Sequence, residues 1–234
     1  MLRRPIRQED EGFRSFVLFA FILLTVPLCS APVLSSSLSA ASHNEPLPGD
    51  LKPPIAAQLK GGGIRASVDA STLDFWWSSG VPLTGAGPAS WSGVPEGALI
   101  GAVRIAQPFR DIRGRVIKPG VYTLRYGLQP ENGDHLGVSP HRQFLLISPA
   151  ADDSDPAPRG HDSTVELAKG SIGGSHPGAW SIDPPAAPGS EAVLSVHKTD
   201  LGHLSVIVEV PATRDGKPAG TLRFGIVLVG KIEA

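Results

Sequence analysis

Histidine and carboxylate side chains lie close together in one polar segment near the middle of the sequence. Asp134, His135 and His141 occur there within eight positions. Zinc, copper and non-haem iron accept imidazole and carboxylate ligands, so this trio can in principle bind a divalent metal. The spacing matches no established metal motif. The alternatives are that Asp134 caps a turn while both histidines hydrogen-bond to loop carbonyls, or that the histidines act as general acid and base.

Three tryptophans form the second candidate site. Trp76 and Trp77 are adjacent in a predicted strand, and Trp91 follows further along the chain. Successive side chains of a strand point to opposite faces, so Trp76 and Trp77 cannot both enter one core. Either one ring is exposed and offers a stacking platform for a sugar or a partner protein, or another segment of the chain covers it.

Two arginines, Arg113 and Arg115, flank Gly114 at the predicted tip of a hairpin. They belong to a basic stretch, residues 98–127, in which six cationic side chains accompany a single acid, Asp111. One prediction is that the tip docks an anion. The other is that it pairs with the acidic residues of 131–166, which would contribute roughly 0–1 kcal/mol per surface pair.

A cluster of carboxylates at Asp152, Asp153 and Asp155 raises the question of calcium binding. The pattern of an EF-hand loop is missing, so we expect a solvated acidic loop. The sequence also lacks the nucleophile elbow of the hydrolases, a phosphate-binding glycine loop and the H-E-x-x-H zinc motif. No cofactor is therefore expected, apart from the divalent metal considered above.

The composition excludes several classes of protein. A net charge of −1 with 18% charged residues argues against a nucleic-acid partner. The 27 glycines and 23 prolines oppose long helices. The single cysteine, Cys29, and the single methionine, Met1, both lie within residues 1–41. A mature chain without that segment is free of cysteine and has neither disulfides nor thiolate chemistry.

Residues 1–41 have the layout of a secretory signal peptide. Four arginines precede an apolar run, Ser15–Cys29, that is shorter than the roughly 20 residues of a membrane-spanning helix. The small residues Ser39 and Ala41 predict cleavage after Ala41. We expect export to the periplasm or the extracellular space. The alternatives are an uncleaved segment that anchors the protein to a membrane, and a lipid on Cys29.

Beyond the signal, the sequence predicts an arm and one domain. Residues 42–62 are rich in proline, alanine and glycine and predict a flexible arm. Residues 63–234 carry period-two alternation and predict a single antiparallel β-sandwich of about eight strands. The strand segments are 64–69, 75–77, 99–105, 122–128, 144–147, 193–196, 204–210 and 222–228.

Turn and cap residues support this all-β fold class. Asp215-Gly216 between the last two strands favours a hairpin. A capping-box pattern starting at Ser163 predicts one short helix, which Gly170 ends. This helix lies in residues 149–190, a stretch long enough to be an elaborated loop region and a place for function.

The middle of the chain resembles known sequences. Residues 118–124 read Lys-Pro-Gly-Val-Tyr-Thr-Leu, and residues 133–138 read Gly-Asp-His-Leu-Gly-Val. A Pro-Gly-x-Tyr-Thr-Leu hairpin followed by Gly-Asp-His-x-Gly-Val resembles families of uncharacterised secreted bacterial β-rich proteins. The resemblance is strongest over residues 98–150 and implies a secreted β-sandwich without known activity. It supplies no catalytic residue, but it includes Asp134 and His135.

Two functional hypotheses follow. The first is a non-enzymatic exported module that binds a carbohydrate or a cell-envelope protein through its loops and an exposed tryptophan. The second is a metal-binding protein or metal-dependent enzyme that uses Asp134, His135 and His141.

Overall fold

The fold is built almost entirely from strands. A computed structural model describes residues 37–129, 141–174, 176–183 and 192–230. These residues include two α-helices, Pro53–Ala56 (α1) and His161–Lys169 (α2), and a 3₁₀ helix at Trp91–Gly93. The expected all-β class is confirmed, but the single sandwich of eight strands is not, because the described residues form thirteen strands. The strands are Leu38–His43 (β1), Gly63–Val68 (β2), Ser71–Trp77 (β3), Val81–Pro82 (β4), Leu99–Ile105 (β5), Phe109–Arg110 (β6), Val116–Ile117 (β7), Gly120–Leu128 (β8), Gln143–Pro149 (β9), Gly178–Asp183 (β10), Val196–Lys198 (β11), Leu204–Arg214 (β12) and Lys217–Val229 (β13).

Eleven of these strands form one large curled sheet. Its order is β1-β2-β3-β5-β8-β9-β10-β13-β12-β11, and β4 adds to β12 in parallel. The sheet changes partners along β10, where Gly178–Ser181 pair with β9 while Ile182 and Asp183 pair with β13. The strands β6 and β7 form a separate hairpin.

Aromatic side chains join the two halves of the curled sheet in one core. The ring centroid of Phe224 on β13 lies 5.7 Å from Trp77 on β3 and 5.1 Å from Trp91. Phe75 and Trp180 meet in the same core at 5.7 Å. Apart from Trp91, which lies in the 3₁₀ helix, these residues occupy inward-facing positions of strands. Such positions recur with period two, which is why the alternation in the sequence located most of the long strands.

The segment expected to be a flexible arm packs on the sheet instead. Residues 42–62 include the end of β1 and helix α1. Ile55 is fully buried, and Leu51 and Leu59 join it against Trp76 on the outer face of β3. By its contacts, the chain from Ser35 to Ala234 is one compact unit, so the domain starts well before residue 63.

The predicted signal peptide lies mainly outside the described residues, and its cleavage stays a prediction. The predicted cleavage motif Ser39–Ala41 lies within β1, which pairs along its whole length with β2. None of the helices in the part of the chain that the structure describes is long and apolar enough to cross a membrane.

Two local predictions differ from the structure. Helix α2 begins at His161, because the N-cap is Gly160 at φ +72° and not Ser163. The segment 193–196 is not a core strand, since Val193 and Val196 are 44% and 41% exposed. Gly170 does end α2, and the β12–β13 hairpin turns at Asp215 and Gly216 with positive φ angles, as their types predict.

Candidate functional site

The metal hypothesis concerns three residues, of which the structure describes one. Asp134 and His135 lie outside the described residues. His141 is described, and its Nε2 lies 3.5 Å from a carboxylate oxygen of Asp183. Burial raises the pKa of Asp183, and His141 acts in the opposite direction. Within the described ranges, no group of three or more His, Cys, Asp or Glu side chains is arranged to hold a metal ion.

The three tryptophans do not form a surface platform. Trp76 is fully buried, and its indole N–H donates to the Glu45 carbonyl at 3.1 Å. The segment around Glu45 therefore covers the ring, which was one of the two possibilities left open by the sequence. Trp77 is buried in the core, and Trp91 is half-buried between Phe224 and Tyr126. Neither Trp76 nor Trp77 presents a face to a sugar.

The acidic loop is not simply solvated, because its central carboxylate is buried. Asp153 and Arg125 are both fully buried and form a bidentate pair with N···O distances of 2.7 and 2.8 Å. Thr123 donates to the same carboxylate at 2.6 Å. The remaining guanidinium donors reach the carbonyls of Gly97, Ala157 and Asp155. This pair fastens the 151–160 loop to the outer face of the sheet.

A second carboxylate on the same face binds two arginines. Asp74 on β3 accepts hydrogen bonds from Arg65 at 2.6 Å and from Arg104 at 2.7 Å. Burial by itself raises the pKa of Asp74, but the two arginine contacts outweigh it and leave the pKa below its ordinary value. Arg104 also lies over the Trp76 ring. These contacts join β3 to its neighbours β2 and β5, so we assign Asp74 and its two arginines a structural role.

The predicted hairpin tip carries the most distinctive pair of side chains. Arg113 and Arg115 lie in the turn between β6 and β7, with Gly114 between them at φ +77°. The buried carboxylate of Asp111 accepts the backbone N–H groups of Arg113 at 3.0 Å and Arg115 at 2.8 Å. Asp111 thereby fixes the turn through the backbone.

The two arginines lie beside a groove with an apolar floor. The Arg113 guanidinium lies 5.4 Å from the centre of the Phe144 ring. Phe144, Leu146 and Ala179 project from the outer face of β9 and β10 and pack with Val165 of α2. The groove between the β6–β7 turn, these strands and α2 encloses about 270 Å³.

The rim of this groove is cationic or titratable. Arg113, Arg115, His161 and His176 contribute to its lining. Among the described residues, no carboxylate forms an ion pair with either arginine side chain, whereas His161 lies 3.3 Å from Glu96. Burial, and secondly the charge of Arg115, lower the pKa of Arg113. The groove therefore combines an apolar surface with two positively charged side chains from one short turn.

Sequence reasoning located one side of this groove and missed the other. The Arg-Gly-Arg tip was recognised as a possible anion site. The run 144–147 was predicted as a core strand, and half of its side chains do enter the core. Phe144 and Leu146 point to the opposite face, where α2 meets them. The helix predicted between Ser163 and Gly170 is the available signal, because a helix next to an apolar strand needs a surface to pack on.

No family model, no curated protein and no solved structure matches the chain.

Proposed function

We propose that the chain is an exported, non-enzymatic binding module and that the groove between α2 and the β6–β7 turn is its binding site. The observation that carries this proposal is the apolar floor of Phe144, Leu146 and Ala179 beside Arg113 and Arg115. Small-molecule sites combine mainly apolar walls with a few polar groups that orient the ligand.

Export is supported by the N-terminal sequence, in which arginines precede a short apolar run. An exported protein meets cell-envelope components, so the ligand is sought among them. A carbohydrate that stacks on tryptophan is not favoured, because Trp76 and Trp77 are buried. The groove offers aliphatic and phenyl surface instead of an open indole face.

Titration with a neutral apolar fluorophore, N-phenyl-1-naphthylamine, tests the groove. We expect saturable binding to one site on the full chain, seen as a rise in emission. Val165→Lys places a charge in the apolar wall and should weaken binding by about tenfold or more, since a charge is costly beside apolar surface.

Leu167→Lys is the matched control, because Leu167 lies on the same helix but does not line this groove. It should leave the affinity unchanged. The proposal fails if the unaltered protein shows no saturable binding, or if both variants lose affinity equally.

A further inference from the structure

The two guanidinium groups of the groove lack an acidic partner among the described residues, although an acid lies next to them. One oxygen of the nearby Asp111 carboxylate accepts the backbone N–H groups of Arg113 and Arg115, and the charge of this carboxylate also acts on both arginines without a side-chain ion pair. Arg115 donates a long hydrogen bond to the Pro177 carbonyl at 3.4 Å, which leaves most of its donors for other acceptors. Two arginines and one aspartate leave this turn with a net positive charge, which attracts an anion.

The surroundings of these charges strengthen such an attraction. Arg113 is half-buried and lies over the Phe144 ring. Water is partly displaced there, so an ionic hydrogen bond is stronger than one at an open surface. A planar guanidinium also matches the two oxygens of a carboxylate in a bidentate arrangement.

The apolar floor begins where the guanidinium groups end. Phe144, Leu146, Ala179 and Val165 form one cluster under and beside the groove. At about 270 Å³ the groove is slightly smaller than the roughly 300–1,000 Å³ of typical ligand pockets, which suits a small ligand and not a long lipid. A ligand that fills it presents an apolar tail to the floor and a negative head to the turn.

We propose that the groove binds a small amphipathic monocarboxylate, with its carboxylate between Arg113 and Arg115 and its alkyl chain on Phe144, Leu146 and Ala179. This inference rests on the proposed function, because it specifies the ligand of the same groove.

The cost of desolvation favours a ligand with a single negative charge over a ligand with two. The free energy needed to move an ion out of water grows with the square of its charge, so a phosphate dianion loses more than a carboxylate on entering an apolar groove. A neutral chain of equal length gains the same contact with the floor but makes no ionic hydrogen bond.

Calorimetric titration of the full chain with octanoate, octanol and octyl phosphate tests the inference. We expect octanoate to bind roughly 10- to 100-fold tighter than octanol, from hydrogen bonds to charged groups. Affinity should rise about fourfold for each CH₂ from hexanoate to octanoate. Octyl phosphate should bind more weakly than octanoate.

Variants of the two arginines test the contribution of the ligand's carboxylate separately from that of its alkyl chain. Arg113→Gln and Arg115→Gln should each bring the ratio of octanoate affinity to octanol affinity close to one. Arg115→Lys keeps the charge without the planar fork and should lose part of the preference. Lys118→Gln is the matched control, because it removes one exposed positive charge from the same region without lining the groove. It should change neither affinity.

The outcomes distinguish a failure of the carboxylate inference alone from a failure of the proposed function. If octanol binds as tightly as octanoate, the carboxylate inference is wrong and the apolar groove stands. If octyl phosphate binds more tightly than octanoate, the inference of a carboxylate ligand is also wrong. If neither octanoate, octanol nor the neutral fluorophore binds, the proposed function fails together with the inference. Equal losses in Arg113→Gln and Lys118→Gln would show a general charge effect and overturn the assigned head-group site.

Discussion

At the scale of single residues, the most informative contact is the buried pair of Arg125 and Asp153. Both side chains are fully buried, yet the guanidinium directs its donors to Asp153 and to three carbonyls. Burying two charges is costly, and it is tolerated where geometry and additional hydrogen bonds compensate. The pair thereby converts an acidic segment that looks solvated in the sequence into an attached loop.

Removing one partner should be strongly destabilising. We expect Asp153→Ala to lower the free energy of unfolding by about 3–5 kcal/mol, because it leaves the Arg125 charge buried and uncompensated. Urea titration followed by circular dichroism measures the change. Asp152→Ala, at the exposed neighbouring position, is the control and should stay within about 0.5 kcal/mol of the original protein. Equal effects of the two substitutions would contradict the structural role of the pair.

At the scale of elements, the layer over the outer face of the sheet distinguishes this fold from a plain sandwich. The segment with α1 covers Trp76, the 151–160 loop covers Arg125, and α2 covers Phe144 and Leu146. Apolar packing attaches both the segment with α1 and helix α2, whereas a buried ion pair attaches the 151–160 loop. The groove lies beside α2 and the β6–β7 turn.

The first of these covering pieces gives a direct test. We expect Ile55→Ala to lower the free energy of unfolding by about 2–5 kcal/mol, because Ile55 is fully buried and its truncation leaves a cavity. Chemical denaturation measures the loss. Leu201→Ala, at a position that is 57% exposed, should have little effect. A flexible arm would make Ile55→Ala as mild as Leu201→Ala.

At the scale of the whole molecule, the edge strand β1 connects the fold to the proposed export. Leu38–Ala41 pair with Arg65–Val68, and Leu38 and Ala40 pack against the main core. Cleavage after Ala41 would remove four of the six residues of β1 and leave most of the β2 edge unpaired. The pairing of β1 therefore argues against the predicted cleavage after Ala41.

Two shortened chains test this point. A chain that begins at Leu38 should keep the thermal midpoint of the folded domain, whereas a chain that begins at Ser42 should unfold at a lower temperature. The physical reason is the loss of strand pairing and of the apolar contacts of Leu38 and Ala40. Differential scanning calorimetry gives both midpoints, and identical values would show that β1 is dispensable.

The sequence by itself determined several of the strands and turns of this protein. Side-chain alternation marked the strands at 99–105, 122–128 and 204–210, because inward and outward positions differ in polarity along a half-buried strand. The turn at Asp215-Gly216 followed from residues that tolerate positive φ. The Arg113-Gly114-Arg115 tip was also visible as a pair of charges on a predicted turn.

Only the tertiary structure decided which distant residues these strands and turns contact. Arg125 and Asp153 are 28 residues apart, and the indole N–H of Trp76 donates to the carbonyl of Glu45, 31 positions earlier. The groove likewise joins a turn, two strands and a helix that are distant along the chain. Such contacts depend on how the sheet curls and which segment lies on its outer face. Periodicity reports whether a position is buried, but it does not name the partner that buries it.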